Sequence, residues 1–483
     1  MVQITELVFR DAHQSLLATR MRTEDMLPIT KTIDQVGFFA LEVWGGATFD
    51  VCLRYLAEDP WERLKTLKMH MPNTPMEMLE RAMNIVAYRN FPDDIVQKFI
   101  EYAHNDGVDY FRIFDALNDL RNMKVPIETA KKVGAHVQGS LCYTISPVHT
   151  VEYYVETFKK LEAMGCDSLC IKDMAGMISP SKAYQIIHAC KEEIKVPMCL
   201  HSHTSSGMTM LSYMKACEAG VDIIDCAISP ISGGAGHPPT ESIVAALKDT
   251  PYDTDYDLEL LMECRKYFLK VWEKYRHLHR EQAMQVDPSV IIHQIPGGML
   301  SNLIIQLEQF GAVDKYYQVL EEAHLVQKGL GWPPLVTPTS QIVGVQAVMN
   351  VLFGRYKRVI EETKNYVKGM YGKPPAKISE EIYKKILGPK WRDEIIDCRP
   401  ADLLEPMYKK CRDELEDLGL LTKEEDVISY AMFPEETKKL LNGQAKPEFT
   451  SAELPLEAEM LGRRFRVTLN GEEYEVTVRK VEK

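Results

Sequence analysis

Residues 168–203 read SLCIKDMAGMISPSKAYQIIHACKEEIKVPMCLHSH. A β-rich run, Ser168–Ile171, ends in Lys172-Asp173. Ser179-Pro180 then opens an amphipathic run with its apolar residues at Ala183–Cys190, since a cap residue followed by proline starts a helix. A second β-rich run, Pro197–His201, ends in His201-Ser202-His203. Working outward, the same alternation fills residues 1–248, with further strands predicted at Ile4–Phe9, Phe39–Val43, Glu77–Arg81, Tyr110–Phe114, His136–Tyr143 and Ile223–Ala227. Helical runs lie between them, such as Tyr153–Met164 with Tyr154, Phe158 and Leu161 on one face. Asp59-Pro60 and Pro92-Asp93-Asp94 mark further helix starts. Eight such units in ~250 residues predict an α/β fold, a TIM (β/α)8 barrel over 1–250. A doubly wound open sheet is the alternative. The first strand lacks the Gly-rich phosphate turn that such sheets carry.

Beyond residue 250 the pattern is helical. Leu258–Tyr275, Leu300–Phe310, Lys315–Lys328, Gln341–Phe353 and Val359–Met370 read as helices separated by Gly- and Pro-containing loops. Residues 251–440 are therefore expected to form a helical domain that lays its apolar faces on the barrel mouth. Residues 441–460 read as a linker, and 461–483 as a C-terminal β-hairpin, because alternating residues flank Asn470-Gly471.

The 57 basic side chains are outnumbered by 70 acidic ones, a net charge of −13, and no basic stripe appears, which excludes a nucleic-acid footprint. No apolar run reaches the ~18 residues of a membrane span, and the first residues lack the basic and apolar segments of a signal peptide. The 11 cysteines are scattered without metal-type pairing. Free thiols in a large chain of this kind point to the cytoplasm.

In a barrel of this kind the chemistry sits at the C-terminal ends of the strands. The first ends in Arg10-Asp11-Ala12-His13-Gln14, the sixth in Lys172-Asp173 and the seventh in His201-Ser202-His203. Alternate residues on a strand face the same way, so both histidines can face the axis. With Asp11 they suit Zn²⁺, Co²⁺ or Mn²⁺ and leave positions open. Lys172 either pairs with Asp173, the reading the residues alone favour, or takes up CO₂ as a carbamate and becomes an anionic ligand. Arg81, at the end of the third strand, suits a substrate carboxylate; a rim salt bridge is its plainer role. Gly45 and Gly46 permit close backbone approach. Gly233-Gly234-Ala235-Gly236, after the eighth strand, either cradles a ligand or forms a mobile turn. It lacks the lysine of a nucleotide loop.

The string Leu7-Val8-Phe9-Arg10-Asp11-Ala12-His13-Gln14-Ser15 resembles the opening of the biotin-dependent carboxyltransferase family, which includes pyruvate carboxylase, the oxaloacetate decarboxylase alpha chain and the transcarboxylase 5S subunit. So do Glu42–Thr48, Arg112–Asn118, Ile171–Gly176, the segments 296–302 and 337–341, and Arg399–Leu403. The resemblance implies a barrel followed by a helical funnel-type domain. It implies a divalent metal held by Asp11, carbamylated Lys172, His201 and His203, with Arg10, Ala12, His13, Gln14, Ala47 and Arg81 around a pyruvate or oxaloacetate substrate. It implies a homodimer, and biotin brought by a separate carboxyl carrier subunit, since the chain has no biotinylation string or ATP-binding segment; the hairpin is a docking edge for it. An acyl-CoA carboxyltransferase subunit is a further expected partner. The chain departs from its relatives at Glu80-Arg81-Ala82, where many have Leu-Arg-Gly, and at Ala235, where pyruvate carboxylases have a proton-shuttling threonine. The shuttle then falls to His237, Ser232 or water, an ordinary imidazole titrating near ~6.5. Through this loop the chain resembles the transcarboxylase 5S subunit more closely. The rival readings are an acyl-CoA lyase or Claisen enzyme on the same barrel, an oxaloacetate decarboxylase alpha-type subunit, or a scaffold whose chemistry is lost, the last favoured by Ala235 alone.

Overall fold

The computed structural model describes residues 1–279, 281–295, 303–304, 306–448, 463–469 and 472–478. Eight parallel strands close into a barrel in sequence order: β1 Gln3–Glu6, β2 Ala40–Gly45, β3 Met76–Glu80, β4 Tyr110–Phe114, β5 His136–Cys142, β6 Ser168–Asp173, β7 Met198–Ser202 and β8 Ile223–Cys226. Closure is made by β1 on β8, Gln3 facing Ile223 and Glu6 facing Cys226. The expected strands are all present, with ends moved by a few residues. The first is the shortest against expectation. Its chain leaves the sheet after Glu6, whose carboxylate accepts from the Val8 N–H (3.0 Å), and Val8–Ala12 form a helical turn that carries Arg10 and Asp11. β6 and β7 run further than expected and pair Lys172 with His201 and Asp173 with Ser202.

The helices begin where side chains take up the free N–H groups of the first turn. Asp59 caps Pro60–His70, accepting from the Trp61 and Glu62 amides, and Ser179 caps Pro180–Glu193. Leu258–Tyr275 has the expected bounds, and its Phe268 packs edge-on against Phe9 of the β1 exit turn. The expected helix at 300–310 lies partly outside the described residues. Tyr316–Gly329, Thr339–Phe353 and Glu361–Lys368 stand where later helices were expected.

The apolar side chains divide into a large core and smaller ones. The large core fills the layer between barrel and helices and takes in Leu261, Phe268 and Tyr275 as well as Val427, Ile428 and Phe433. A second joins Leu117, which follows β4, to residues of the 295–386 stretch, among them Leu320, Val343 and Tyr366. The helical stretch expected at 251–440 thus contributes to both. A third, small cluster joins Leu79, Phe114 and Cys142 of the strands to Val336, which places the helical region over the barrel mouth, as expected. β9 (Arg463–Leu469) and β10 (Glu472–Val478) pair antiparallel, Leu469 opposite Glu472. The Asn470-Gly471 turn and most of the expected linker lie outside the described residues. No helix among the described residues is long and apolar enough to cross a membrane.

The barrel interior is charged. Arg10 grips the Glu42 carboxylate through Nε and Nη2 (2.7 and 2.6 Å). Deeper in, Arg112 pairs with Glu77 (3.1 Å) and with Asp225, all three fully buried. Ions removed from water this completely are held by mutual pairing, since an unpaired partner would carry the whole desolvation cost.

Candidate active site

Four side chains meet above this lattice. Ligand atoms of Asp11, His201, His203 and His237 lie within 4.8 Å of one another, all four residues buried. Asp11 Oδ2 is the hub, 3.6 Å from His201 Nε2, 3.9 Å from His203 Nε2, 3.7 Å from His237 Nε2 and 3.8 Å from Lys172 Nζ. The imidazoles of His201, on β7, and His203, just past its end, are each aimed by a bond to the other nitrogen, as metal-binding histidines are. His201 Nδ1 is 2.7 Å from Asp225 Oδ2, and His203 Nδ1 donates to the Ala235 carbonyl at 2.6 Å, leaving both Nε2 atoms facing Asp11. The donor set fits a divalent cation. It offers one carboxylate and three imidazoles, and both His237 nitrogens are buried without a hydrogen-bond partner among the described residues.

The electrostatics agree with that fit. Burial pushes the Asp11 carboxyl up, but Arg10, His237, His203 and Lys172 outweigh it and hold it well below the ordinary range, so it is an anion. Burial, with Lys172 and His237 adding to it, holds His201 well below an ordinary imidazole. His237 is held down in the same way, by burial first and His203 next, so it does not titrate near ~6.5 as an unperturbed imidazole would.

Lys172 does not pair with Asp173. Adjacent strand residues face opposite ways. Lys172 points to the axis with Nζ 3.1 Å from His201 Nε2, while Asp173 points outward and accepts from the Met177 and Ile178 amides and the Ser202 hydroxyl. The ammonium therefore stands at the atom that a cation would need.

Arg81 carries no ion pair among the described residues, so the rim salt bridge is absent. Its Nη1 donates to the Ala87 carbonyl at 3.0 Å, and its guanidinium lies 5.1 Å from the Tyr88 ring centroid. Gly46 makes the room, for a Cβ there would collide with the guanidinium. Gln14 accepts from Arg10 Nη1 at 3.1 Å, and half-buried Ala47 follows Gly46. Ala12 is buried in the large core. His13 is set apart from the cluster: its Nε2 is 2.9 Å from the Phe9 carbonyl, and burial first, then Arg63, lowers its pKa to about 3.

The Gly-rich loop is fixed. The Thr204 hydroxyl donates to the Gly234 carbonyl, the Thr204 amide to that of Gly236, and the Ala235 amide to that of Ala283. Gly234 has φ +54°, and a Cβ there would strike the Ala283 carbonyl, so glycine is required. Two residues were missed as parts of this site. Asp225 and Arg112 sit on β8 and β4, and the polar positions of their inward faces were the available sign.

A family described as "Conserved carboxylase domain" matches residues 290–481, and one described as "HMGL-like" matches 112–267. The chain is 55% identical to a pyruvate carboxylase subunit of Methanocaldococcus jannaschii, over 99% of this chain and 84% of that one. It is a member of the biotin-dependent carboxyltransferase family. The methylmalonyl-CoA carboxyltransferase 5S subunit of Propionibacterium freudenreichii subsp. shermanii is 46% identical over 95% of this chain and 92% of its own, so the expected likeness to that subunit is present alongside the stronger one. The carboxyl transferase domain of Rhizobium etli pyruvate carboxylase, solved with pyruvate and biocytin, superposes with a TM-score of 0.88 at 31% identity, covering 100% of this chain and 85% of that one. As a family member the chain is a carboxyltransferase enzyme.

Proposed function

We propose that the chain transfers a carboxyl group between biotin on a separate carrier subunit and pyruvate, giving oxaloacetate, or the reverse. The observation that carries this is the pairing of a buried imidazole–carboxylate cradle with Arg81, a cation that lacks a carboxylate partner among the described residues, at ends of the same barrel. Asp11, His201, His203 and Lys172 would hold the metal, Lys172 after its amine adds CO₂ and loses a proton to become a carbamate. Zn²⁺, Co²⁺ and Mn²⁺ suit the donors. When bound, the ion supplies Lewis acidity for the negative charge that develops on the 2-oxo group. Arg81 fixes the substrate carboxylate with its planar fork, so the methyl carbon keeps one orientation toward the incoming carboxyl group. The methyl proton leaves, the bond between the carboxyl carbon and the biotin ring nitrogen breaks, that carbon bonds to the methyl carbon in the proton's place, and the freed nitrogen receives the proton. Ala235 has no dissociable proton, so the relay within the loop falls to His237 or to Ser232, with water as the remaining carrier. We also propose a homodimer, a cytoplasmic location, an acyl-CoA carboxyltransferase subunit as further partner, and the hairpin as the carrier's docking edge. A barrel, a helical domain, a linker and a hairpin, divided near 250, 440 and 460, are our proposed units.

The test is pyruvate release from oxaloacetate by the metal-loaded chain with free biotin or biotinylated carrier as acceptor. Lys172→Ala should abolish transfer. Full activity in that variant would end the carbamate role, and no biotin-dependent pyruvate from the wild type would end the whole reading.

A further inference from the structure

We propose that His237 is itself a metal ligand, so that Asp11, His201, His203 and His237 form a complete four-donor set that retains the ion without Lys172. This inference rests on the metal centre of the reading above and not on its carboxyl chemistry. Three observations lead to it. The His237 ring is fully buried and neither nitrogen has a hydrogen-bond partner among the described residues, although a buried polar group normally does. The ring lies against the other two imidazoles, with centroids 4.2 Å from His203 and 4.9 Å from His201, and its Nε2 reaches to 3.7 Å from Asp11 Oδ2. Donor atoms at ~2.1 Å from a common ion are ~3–4 Å apart, so this spacing needs only a small contraction. The backbone holds the ring in place as well: the Gly233 amide donates to the His237 carbonyl at 2.7 Å, and Ala227 N–H to that of Pro238 at 3.0 Å.

A relay role fits less well. A shuttling histidine needs a partner within hydrogen-bond reach, and no donor or acceptor bonds to the His237 ring nitrogens among the described residues. Lys172 as an ammonium, with Nζ 3.1 Å from His201 Nε2, has no free lone pair and offers the ion nothing. With His237 in the set, the ion stays when Lys172 carries no CO₂, and the proton relay passes to Ser232 or water.

The experiment uses the full chain stripped of metal and loaded with Co²⁺ alone. A ligating imidazole whose other nitrogen carries a proton shows a strongly shifted, solvent-exchangeable N–H resonance in the proton spectrum. The wild type should show three, and His237→Gln two. In chelator competition, His237→Ala should weaken Co²⁺ retention by ~10²-fold or more, whereas Lys172→Ala in CO₂-free buffer should retain the ion at least as well as the wild type does. Two resonances in the wild type, or unchanged retention in His237→Ala, would overturn the proposal. Should the variants fail to fold, the wild-type count decides. If the count is two while carboxyl transfer proceeds, this inference falls and the proposed function stands. A chain that binds no Co²⁺ removes the metal centre from both.

Discussion

Arg81 and Asp225 are the two side chains whose substitution separates binding from coordination. Arg81→Lys replaces a fork with a point charge, and charged hydrogen bonds are worth roughly 1.5–3 kcal/mol, so KM for oxaloacetate should rise about 10- to 100-fold with kcat changed less. Steady-state kinetics on the metal-loaded enzyme checks this, and an unchanged KM would return Arg81 to a rim role. Gly46→Ala should act on the same quantity, because the added Cβ displaces the guanidinium. Asp225→Asn takes the charged acceptor from His201 Nδ1 and the partner from Arg112. Metal affinity should fall about 10- to 100-fold. The melting temperature should fall with it, since a buried charge loses its counter-ion. Wild-type Co²⁺ retention in Asp225→Asn would show that the imidazole holds its orientation unaided.

At the scale of elements, Glu6 ties the end of β1 to the loop after β8. It accepts from the Ile228 amide (2.9 Å) and the Thr240 hydroxyl (2.6 Å) as well as from Val8. Burial nevertheless raises its pKa to about 8. A carboxyl raised in the native state binds more protons there than in the unfolded chain, so the contribution of Glu6 to stability is greatest at low pH and declines from the ordinary carboxylate range up to about 8. Glu6→Gln should flatten that decline in thermal melts recorded from pH 5 to 8, and an undiminished slope would place its origin elsewhere. The strands themselves were legible because β-branched and apolar runs recur between capped helices. The direction of Lys172 was less so: alternation settles which of Lys172 and Asp173 faces inward only once the register of β6 on β7 is known. His237 had no spacing to betray it, for it comes from a loop after β8 and meets His203 only through the pairing of β8 with β7 and the folding of that loop against the end of β7. The departure at Glu80 also becomes physical here. Its carboxyl is buried with both oxygens unpartnered among the described residues, and burial alone raises its pKa well above the ordinary range, so the group is held as the neutral acid.

For the whole molecule, the 11 cysteines give a direct measure of how closed the fold is. Ten are buried and Cys398 is exposed. A thiol reagent should therefore modify about one group rapidly in the native protein and all 11 in denaturant. Several fast-reacting thiols would mean that the helical layer opens readily. The charged lattice inside the barrel bears on how such a chain can change over generations. Arg112 and Asp225 are each without exposed surface, and loss of either leaves the other's buried charge without its main partner at roughly 3–5 kcal/mol, while concerted replacement by apolar groups of like volume is often neutral. Drift proceeds by single steps, and every single step here is uphill. Substitutions at the two are therefore expected to be coupled, and because Asp225 also aims His201, a change in the barrel's interior reaches the candidate metal cradle directly.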